Sequence, residues 1–314
     1  MSQSISDNMS QIISSEPMPL AQKTVTTKQR RPSQFNLNNI GVMTFLIAFA
    51  VYFLIPFFWL VISSTKSQAD LFGTFGFWFS PDFHLFANLQ QLFTFNGGIY
   101  ARWLLNTLLY AGVGAVVGTF IASMAGYALA KYTFRGRNLT FSIILGAILV
   151  PATTLALPLY LLMSSVGLTN TYWSVLLPSL VSPFGVYLSR IYAASAVPDE
   201  LLEAARMDGA NEFTTFLIAL NLMTPALVTI LLFQFVAIWN NYFLPLVMLN
   251  DSNLFPITVG LQTWNVTATN ATAGQTIYNL IITGSLLSSI PLLIGCIILQ
   301  RFWRGGLGTG SIKG

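Results

Sequence analysis

Residues 40–64 read IGVMTFLIAFAVYFLIPFFWLVISS, an apolar run without a single charged side chain. A helix rises 1.5 Å per residue, so about 20 apolar residues cross the hydrocarbon core of a bilayer, which is roughly 30 Å thick. Apolar residues follow one another without polar alternation, which favours a helix over a transmembrane β-strand. The stretch therefore predicts a membrane-spanning helix.

The rest of the chain repeats this pattern. Apolar residues make up 54% of the sequence and charged residues only 8%, against about 25% charged in soluble domains. Six spans are predicted, at residues 40–64, 103–130, 139–163, 172–194, 222–249 and 277–301. Prolines within or beside them are expected to kink several of these helices, although proline is also common in membrane helices. The predicted fold class is an all-α polytopic membrane protein with six transmembrane helices.

The positions of lysine and arginine predict the orientation. If the N-terminus lies inside, twelve of the 14 Lys and Arg residues fall in inside segments, and only Lys66 and Arg102 fall outside. Membrane proteins concentrate basic residues in their cytoplasmic loops. Both termini are therefore expected in the cytoplasm.

The segments outside the spans differ in character. Residues 1–35 are rich in Ser, Gln, Thr, Lys and Arg, and they predict a disordered cytoplasmic tail. Residues 36–304 form the six-span domain, and residues 305–314 form a Gly-rich cytoplasmic tail. Between spans, residues 65–102 make a long outer loop with aromatic side chains that suit the membrane surface. Residues 250–276 make a second, polar outer loop.

Several chemistries are absent from the sequence. The chain has one cysteine, Cys296, and one histidine, His84, and it has no phosphate-binding loop of the GxxxxGK[ST] type. This composition predicts no catalytic residue, no metal site, no cofactor and no nucleic-acid partner, so the chain is not expected to be an enzyme.

A charged cluster follows the fourth span, in residues 196–220. Five of the ten acidic residues of the chain lie here: Asp199, Glu200, Glu203, Asp208 and Glu212. Pro198 suits the first position of a helix, and the helix dipole favours acidic residues in the first turn. Gly209 is expected to end this helix in a left-handed conformation.

A second helix is predicted from Asn211, which is a suitable N-cap. Phe213, Phe216, Leu217 and Leu220 follow at spacings that form one apolar stripe. The cluster is therefore predicted to be a helix-turn-helix that lies along the cytoplasmic membrane face and offers a docking surface.

The sequence EAARMDGA, residues 203–210, resembles the EAA loop of binding-protein-dependent ABC importer permeases. The resemblance covers nearly all of residues 36–314 and is closest to the carbohydrate branch, related to the smaller maltose permease subunit. Further similar stretches are NTLLYAGVGAVVGTFIASMAGYALAKYTFRGR (106–137), PLYLLMSSVGLTNTYWSVLLPSLVSPFGVYLSRIY (158–192), FQFVAIWNNYFLPLVML (233–249) and QRFWRGGLGTGSIKG (300–314). In one place the chain departs from the family, because Leu220-Asn221 stands where members usually have a Leu-Pro pair.

The resemblance implies a location and a set of partners. Such a subunit lies in the bacterial inner membrane with two ATP-binding subunits, a second homologous permease subunit and an extracellular substrate-binding protein. Its EAA loop is the coupling helix, which sits in a cleft of an ATP-binding subunit. The implied coupling residues are Glu203, Ala204, Ala205, Asp208, Gly209, Phe213 and Phe216.

Neutral polar residues in or near the predicted spans are candidates for a sugar pathway: Asn106, Gln234, Trp239, Asn240, Asn241 and Tyr242. Aromatic rings stack on sugar rings, and amides hydrogen bond to hydroxyl groups. Hydrogen bonding between helices is an equally good explanation for each residue alone. An ion-coupled transporter or channel is the alternative function, but it usually requires an ionisable residue in mid-membrane. No Asp, Glu or Lys occupies such a position here.

Overall fold

The computed structural model describes residues 37–270 and 277–307, and every regular element within these ranges is helical. This confirms the predicted all-α class. The predicted N-terminal tail, residues 1–35, lies outside the described residues. The chain divides into two compact units, residues 1–53 and residues 54–314, and the first helix runs through the boundary between them.

The helices are numbered in chain order. The first half contains α1 (Leu37–Ser64), α2 (Gln68–Gly73), α3 (Leu85–Thr94), α4 (Ile99–Lys131), α5 (Arg137–Ile148), α6 (Ala156–Ser165) and α7 (Tyr172–Ser179). The second half contains α8 (Pro183–Ala196), α9 (Asp199–Met207), α10 (Glu212–Leu222), α11 (Thr224–Trp239), α12 (Phe243–Met248), α13 (Ile257–Asn270) and α14 (Tyr278–Leu307). Short 3-10 turns occupy Phe95–Gly98, Ala152–Leu155 and Ser252–Leu254.

Four stretches of the described chain are long and apolar enough to cross a bilayer: Ile40–Ser64, Leu85–Lys131, Tyr172–Ala196 and Tyr278–Ile298. Two bent pairs, α5 with α6 and α10 with α11, bring the number to six if each pair is one broken span. These stretches confirm a polytopic membrane protein.

Two predicted spans are not single helices. The predicted span 139–163 bends by 100° between α5 and α6, at Pro151. The predicted span 222–249 begins at the 82° bend between α10 and α11, and its first helix ends at Trp239, before α12. Proline explains the second ending, because Pro245 has no N–H to donate to the carbonyl of Asn241 four residues earlier. That carbonyl instead accepts a hydrogen bond of 2.8 Å from the hydroxyl of Thr258.

The segment predicted as a polar outer loop, 250–276, contains a helix that the sequence did not predict, because α13 occupies Ile257–Asn270. One face of α13 is buried, through Ile257, Gly260, Trp264 and Ala268. These residues recur at helical spacing, and Trp264 packs on the indole of Trp103 with ring centroids 4.8 Å apart. The many Thr and Asn residues between them conceal the helical period in the sequence.

Two other boundaries differ from the prediction. The long outer loop 65–102 is largely helical, and α4 begins at Ile99 rather than at residue 103. At the other end of the chain, α14 continues to Leu307, so the first residues of the predicted tail, 305–307, are helical. The remainder of the predicted C-terminal tail lies outside the described residues.

Helix α4 is the centre of the second unit and packs against α8 and α11. Small residues allow the close approach, because a methyl group built on Gly126 would lie 2.7 Å from the backbone nitrogen of Arg190 in α8. A methyl group on Gly118 would lie 1.9 Å from the side-chain nitrogen of Gln234 in α11. The end of α4 at Lys131 is also where the charged cluster of the sequence is attached.

Candidate functional site

The charged cluster forms two helices and a tight turn, called here the acidic segment (residues 198–222). The predicted helix-turn-helix is present as α9 and α10. Pro198 was predicted at the first position of the helix. It is instead the N-cap of α9, because its backbone is extended at ψ 139°. Asp199 and Glu200 lie in the first turn of α9, where negative charge stabilises the helix dipole.

A buried lysine attaches the start of the segment to α4. The ammonium group of Lys131 donates to the carbonyl oxygen of Val197 at 2.6 Å and to a carboxylate oxygen of Asp199 at 2.7 Å. The Lys131 side chain is only 6% exposed. A charge-assisted hydrogen bond contributes about 1.5–3 kcal/mol, so this contact fixes the position where α9 begins.

The turn between the helices is a Schellman motif. The N–H of Ala210 donates to the carbonyl of Ala205, and the N–H of Gly209 donates to the carbonyl of Arg206, both at 3.0 Å. Gly209 has φ +85°, the left-handed conformation that the sequence predicts. A side chain there would meet open space, so only the backbone conformation selects glycine.

Side chains also join the two helices across the turn. Arg206 donates to both carboxylate oxygens of Glu212, at 3.1 and 3.2 Å, and the hydroxyl of Tyr132 donates to the same carboxylate. The Arg206 guanidinium, and then the Tyr132 hydroxyl, lower the pKa of Glu212 below its usual value. Asn211 caps α10 as predicted, accepting the N–H of Thr214 at 2.8 Å.

Apolar side chains hold the segment against the ends of α4 and α8. Leu202 and Phe216 are 2% and 5% exposed, and they belong to one cluster with Tyr127, Ala193 and Met223. The ring of Phe216 packs on Tyr127 with centroids 5.3 Å apart. Phe216 therefore anchors the segment and does not lie on a surface that a partner could contact.

The opposite side of the segment is open. Glu203, Ala204 and Asp208 are exposed, Phe213 is 55% exposed and Met207 is 89% exposed. Ala205 is half-buried beneath this surface. The sequence reasoning did not select Met207. Its signal was a large apolar side chain at the charged end of α9, on the same helical face as Glu203.

Three of the six pathway candidates are buried in contacts between helices. The amide of Asn106 donates to the carbonyls of Asn253 and Phe255, and Trp239 is 3% exposed. The amide of Gln234 donates at 2.9 Å to the carbonyl of Ser179. Its oxygen is buried and has no hydrogen-bond partner within the described residues. These side chains join helices and do not share one surface.

The other three candidates lie at the break after α11. Asn240 is exposed, and its side-chain amide donates to the carbonyl of Val236 one turn earlier. The side-chain oxygen of Asn241 accepts the N–H of Leu244 at 3.4 Å. Tyr242 lines a cleft of about 610 Å³ together with residues of α13 and α14. The structure thus separates Tyr242 from the buried candidates.

Residues 118–304, which include the whole acidic segment, match the binding-protein-dependent transport system inner membrane components. The chain belongs to this family. Its members work with a separate binding protein, as the name states. The chain is therefore an integral-membrane permease subunit of an ABC transporter, as the resemblance of residues 203–210 predicts.

Relatives extend the similarity over most of the chain. The arabinooligosaccharides transport system permease protein AraQ of Bacillus subtilis (strain 168) is 33% identical over 91% of this chain and 99% of its own length. AraQ of Halalkalibacterium halodurans is 36% identical over 85% of this chain and 93% of its own length.

A solved structure shares the fold. It belongs to a bacterial ABC transporter involved in the import of the acidic polysaccharide alginate. The TM-score is 0.75 at 23% identity, over 87% of this chain and all of that one.

Proposed function

We propose that this permease subunit forms half of a translocation pathway for an oligosaccharide and receives the force of an ATP-binding subunit through the acidic segment. In this proposal the substrate arrives on an extracellular binding protein. A second, homologous permease subunit supplies the other half of the pathway, and two ATP-binding subunits complete the complex. ATP hydrolysis belongs to those partners and not to this chain.

The rigid mounting of the acidic segment is the observation that carries the proposal. A coupling element must transmit movement, so its partner must push on a body that does not yield locally. Here Lys131 fixes the start of α9, the Arg206–Glu212 pair closes the turn, and Phe216 anchors α10. The exposed face around Met207 is left free to enter a groove of a partner.

The names of the relatives support an oligosaccharide as the proposed substrate class. Two AraQ proteins that cover most of the chain are named for arabinooligosaccharides. Another relative, 26% identical, is named for melibiose, raffinose and stachyose. A further relative, also 26% identical, is named for polygalacturonan and rhamnogalacturonan, so together the relatives support an oligosaccharide as the substrate class.

Photo-crosslinking in the assembled complex tests the proposed docking. A photoreactive phenylalanine analogue at Met207 should form a covalent product with the ATP-binding subunit. The same analogue at Phe86, which is 76% exposed on α3, should not. Mass spectrometry of the crosslinked band identifies the partner. Strong crosslinking to the ATP-binding subunit from Phe86, with none from Met207, would contradict the proposal.

A further inference from the structure

A polar cleft opens between the break after α11, one face of α13 and one face of α14. Five of its seven lining residues carry neutral polar groups: Tyr242, Thr258, Gln262, Asn265 and Ser285. Leu261 and Ile281 complete the lining, so none of the seven side chains is charged. Its volume of about 610 Å³ lies in the range typical of small-molecule sites.

Several polar groups of the cleft are uncommitted. Thr258 and Ser285 donate their hydroxyl protons to backbone carbonyls, which leaves their oxygens able to accept. Among the described residues, the side chains of Tyr242, Gln262 and Asn265 make no hydrogen bond to the protein. Two amides and one phenol therefore face the cleft with both donors and acceptors available. In a chain with 8% charged residues, such a group of free polar side chains requires a ligand or water.

The position of the cleft fits the direction of transport. Helix α11 has 16 residues and is therefore about 24 Å long. The acidic segment joins the N-terminal end of α11, and Tyr242 lies just beyond the C-terminal end of this helix. The cleft and the coupling surface are thus at opposite ends of one helix that is long enough to cross most of the bilayer core.

We infer that this cleft is a contact site for a neutral oligosaccharide on this subunit; the inference rests on the proposed transport function. The ring of Tyr242 provides a face for a sugar ring, and the amides of Gln262 and Asn265 pair with adjacent hydroxyl groups. An acidic sugar is disfavoured, because a carboxylate would lose its water without gaining a cationic partner. The site therefore selects neutral sugars over uronic acids.

A double substitution tests the site in the intact complex, reconstituted in vesicles with its binding protein. Gln262→Leu with Asn265→Leu keeps the side-chain size and removes both amides. Loss of two hydrogen bonds should raise the arabinotriose concentration for half-maximal uptake about tenfold. The control is Thr263→Val on the same helix, because Thr263 is exposed, does not line the cleft and bonds only within its own helix. The control should transport like the wild type.

Protection from alkylation provides a readout that does not depend on transport. The natural cysteine is first removed by Cys296→Ser. In this background a maleimide should label Gln262→Cys, and arabinotriose should slow this labelling while trigalacturonate should not. Unchanged uptake in the double variant, or labelling that arabinotriose leaves unaffected, would overturn the inference and leave the proposed function intact. A wild-type complex that hydrolyses ATP but transports no oligosaccharide, neutral or acidic, would overturn both.

Discussion

Gly209 is the residue on which the geometry of the acidic segment depends most. At φ +85° a residue with a side chain costs about 1–2 kcal/mol, and a β-branched residue fits this conformation worst. We predict that Gly209→Val leaves the spans inserted but greatly reduces both recovery of the ATP-binding subunit and uptake. Co-purification and vesicle uptake measure the two effects.

A matched variant separates backbone strain from loss of a specific contact. Asn adopts the left-handed conformation far more readily than valine does, and the space around Gly209 is open. Gly209→Asn should therefore retain most of the coupling. Normal uptake and full recovery of the ATP-binding subunit with Gly209→Val would show that this turn does not determine the coupling.

Residues whose roles follow from local rules could be predicted from the sequence. Gly209 and Asn211 are of this kind, because a helix end and an N-cap depend only on neighbouring residues. Whether a residue of the apolar stripe in α10 faces a partner or the core depends on parts of the chain that are distant in sequence. Phe216 was expected among the coupling contacts, yet it packs on Tyr127, and the exposed Met207 was not selected.

At the scale of elements, small residues of α4 determine how closely the helices approach. Gly126→Ala should lower the thermal stability of the detergent-solubilised protein, because the added methyl group would lie 2.5 Å from the Ser189 side chain and 2.7 Å from the backbone of α8. A core forced apart in this way typically loses about 1–3 kcal/mol. The melting temperature, followed by size-exclusion chromatography of heated samples, measures the effect.

The same helix offers the control. Gly112 also lies within α4, but a methyl group built on it meets nothing within 4 Å. Alanine is about 1 kcal/mol better than glycine in a helix, so Gly112→Ala should melt at the same temperature as the wild type or higher. Equal loss of stability in both variants would mean that the close contact with α8 is not the cause of the loss at Gly126.

Elements were predictable where a single apolar run is long, and they were missed where tertiary contacts decide. The runs that became α1 and α14 satisfy the length rule unaided. Helix α13 was not predicted within the polar loop, because its five buried residues are spread among Thr and Asn and are stabilised by α4 and α14. The break after Trp239 needed the partner hydroxyl of Thr258, which lies 17 residues from Asn241.

At the scale of the whole molecule, the two bent pairs leave two topologies that keep both termini on the same side of the membrane. If α5 with α6 crosses the bilayer, and α11 crosses it while α10 lies along the inner face, the chain has six spans and the acidic segment is cytoplasmic. If each pair instead returns to the side of the membrane from which it entered, the chain has four spans and the acidic segment lies outside. The four-span arrangement would also move Arg190 and Arg206 outside, which weakens the basic bias of the cytoplasmic side.

We therefore predict six spans with both termini inside, and three positions decide the question. Val166, in the connection after α6, and Met207, at the end of α9, are 59% and 89% exposed, and the two topologies place them on opposite sides of the membrane. In a Cys296→Ser background, a membrane-impermeant maleimide added to intact cells should label Val166→Cys but not Met207→Cys. Permeabilised cells should label both. Phe86→Cys is the control, because it lies outside in either topology. Labelling of Met207→Cys in intact cells, with Val166→Cys protected, would establish four spans. It would also place the acidic segment beyond the reach of any cytoplasmic ATP-binding subunit, because coupling requires contact across the inner face of the membrane.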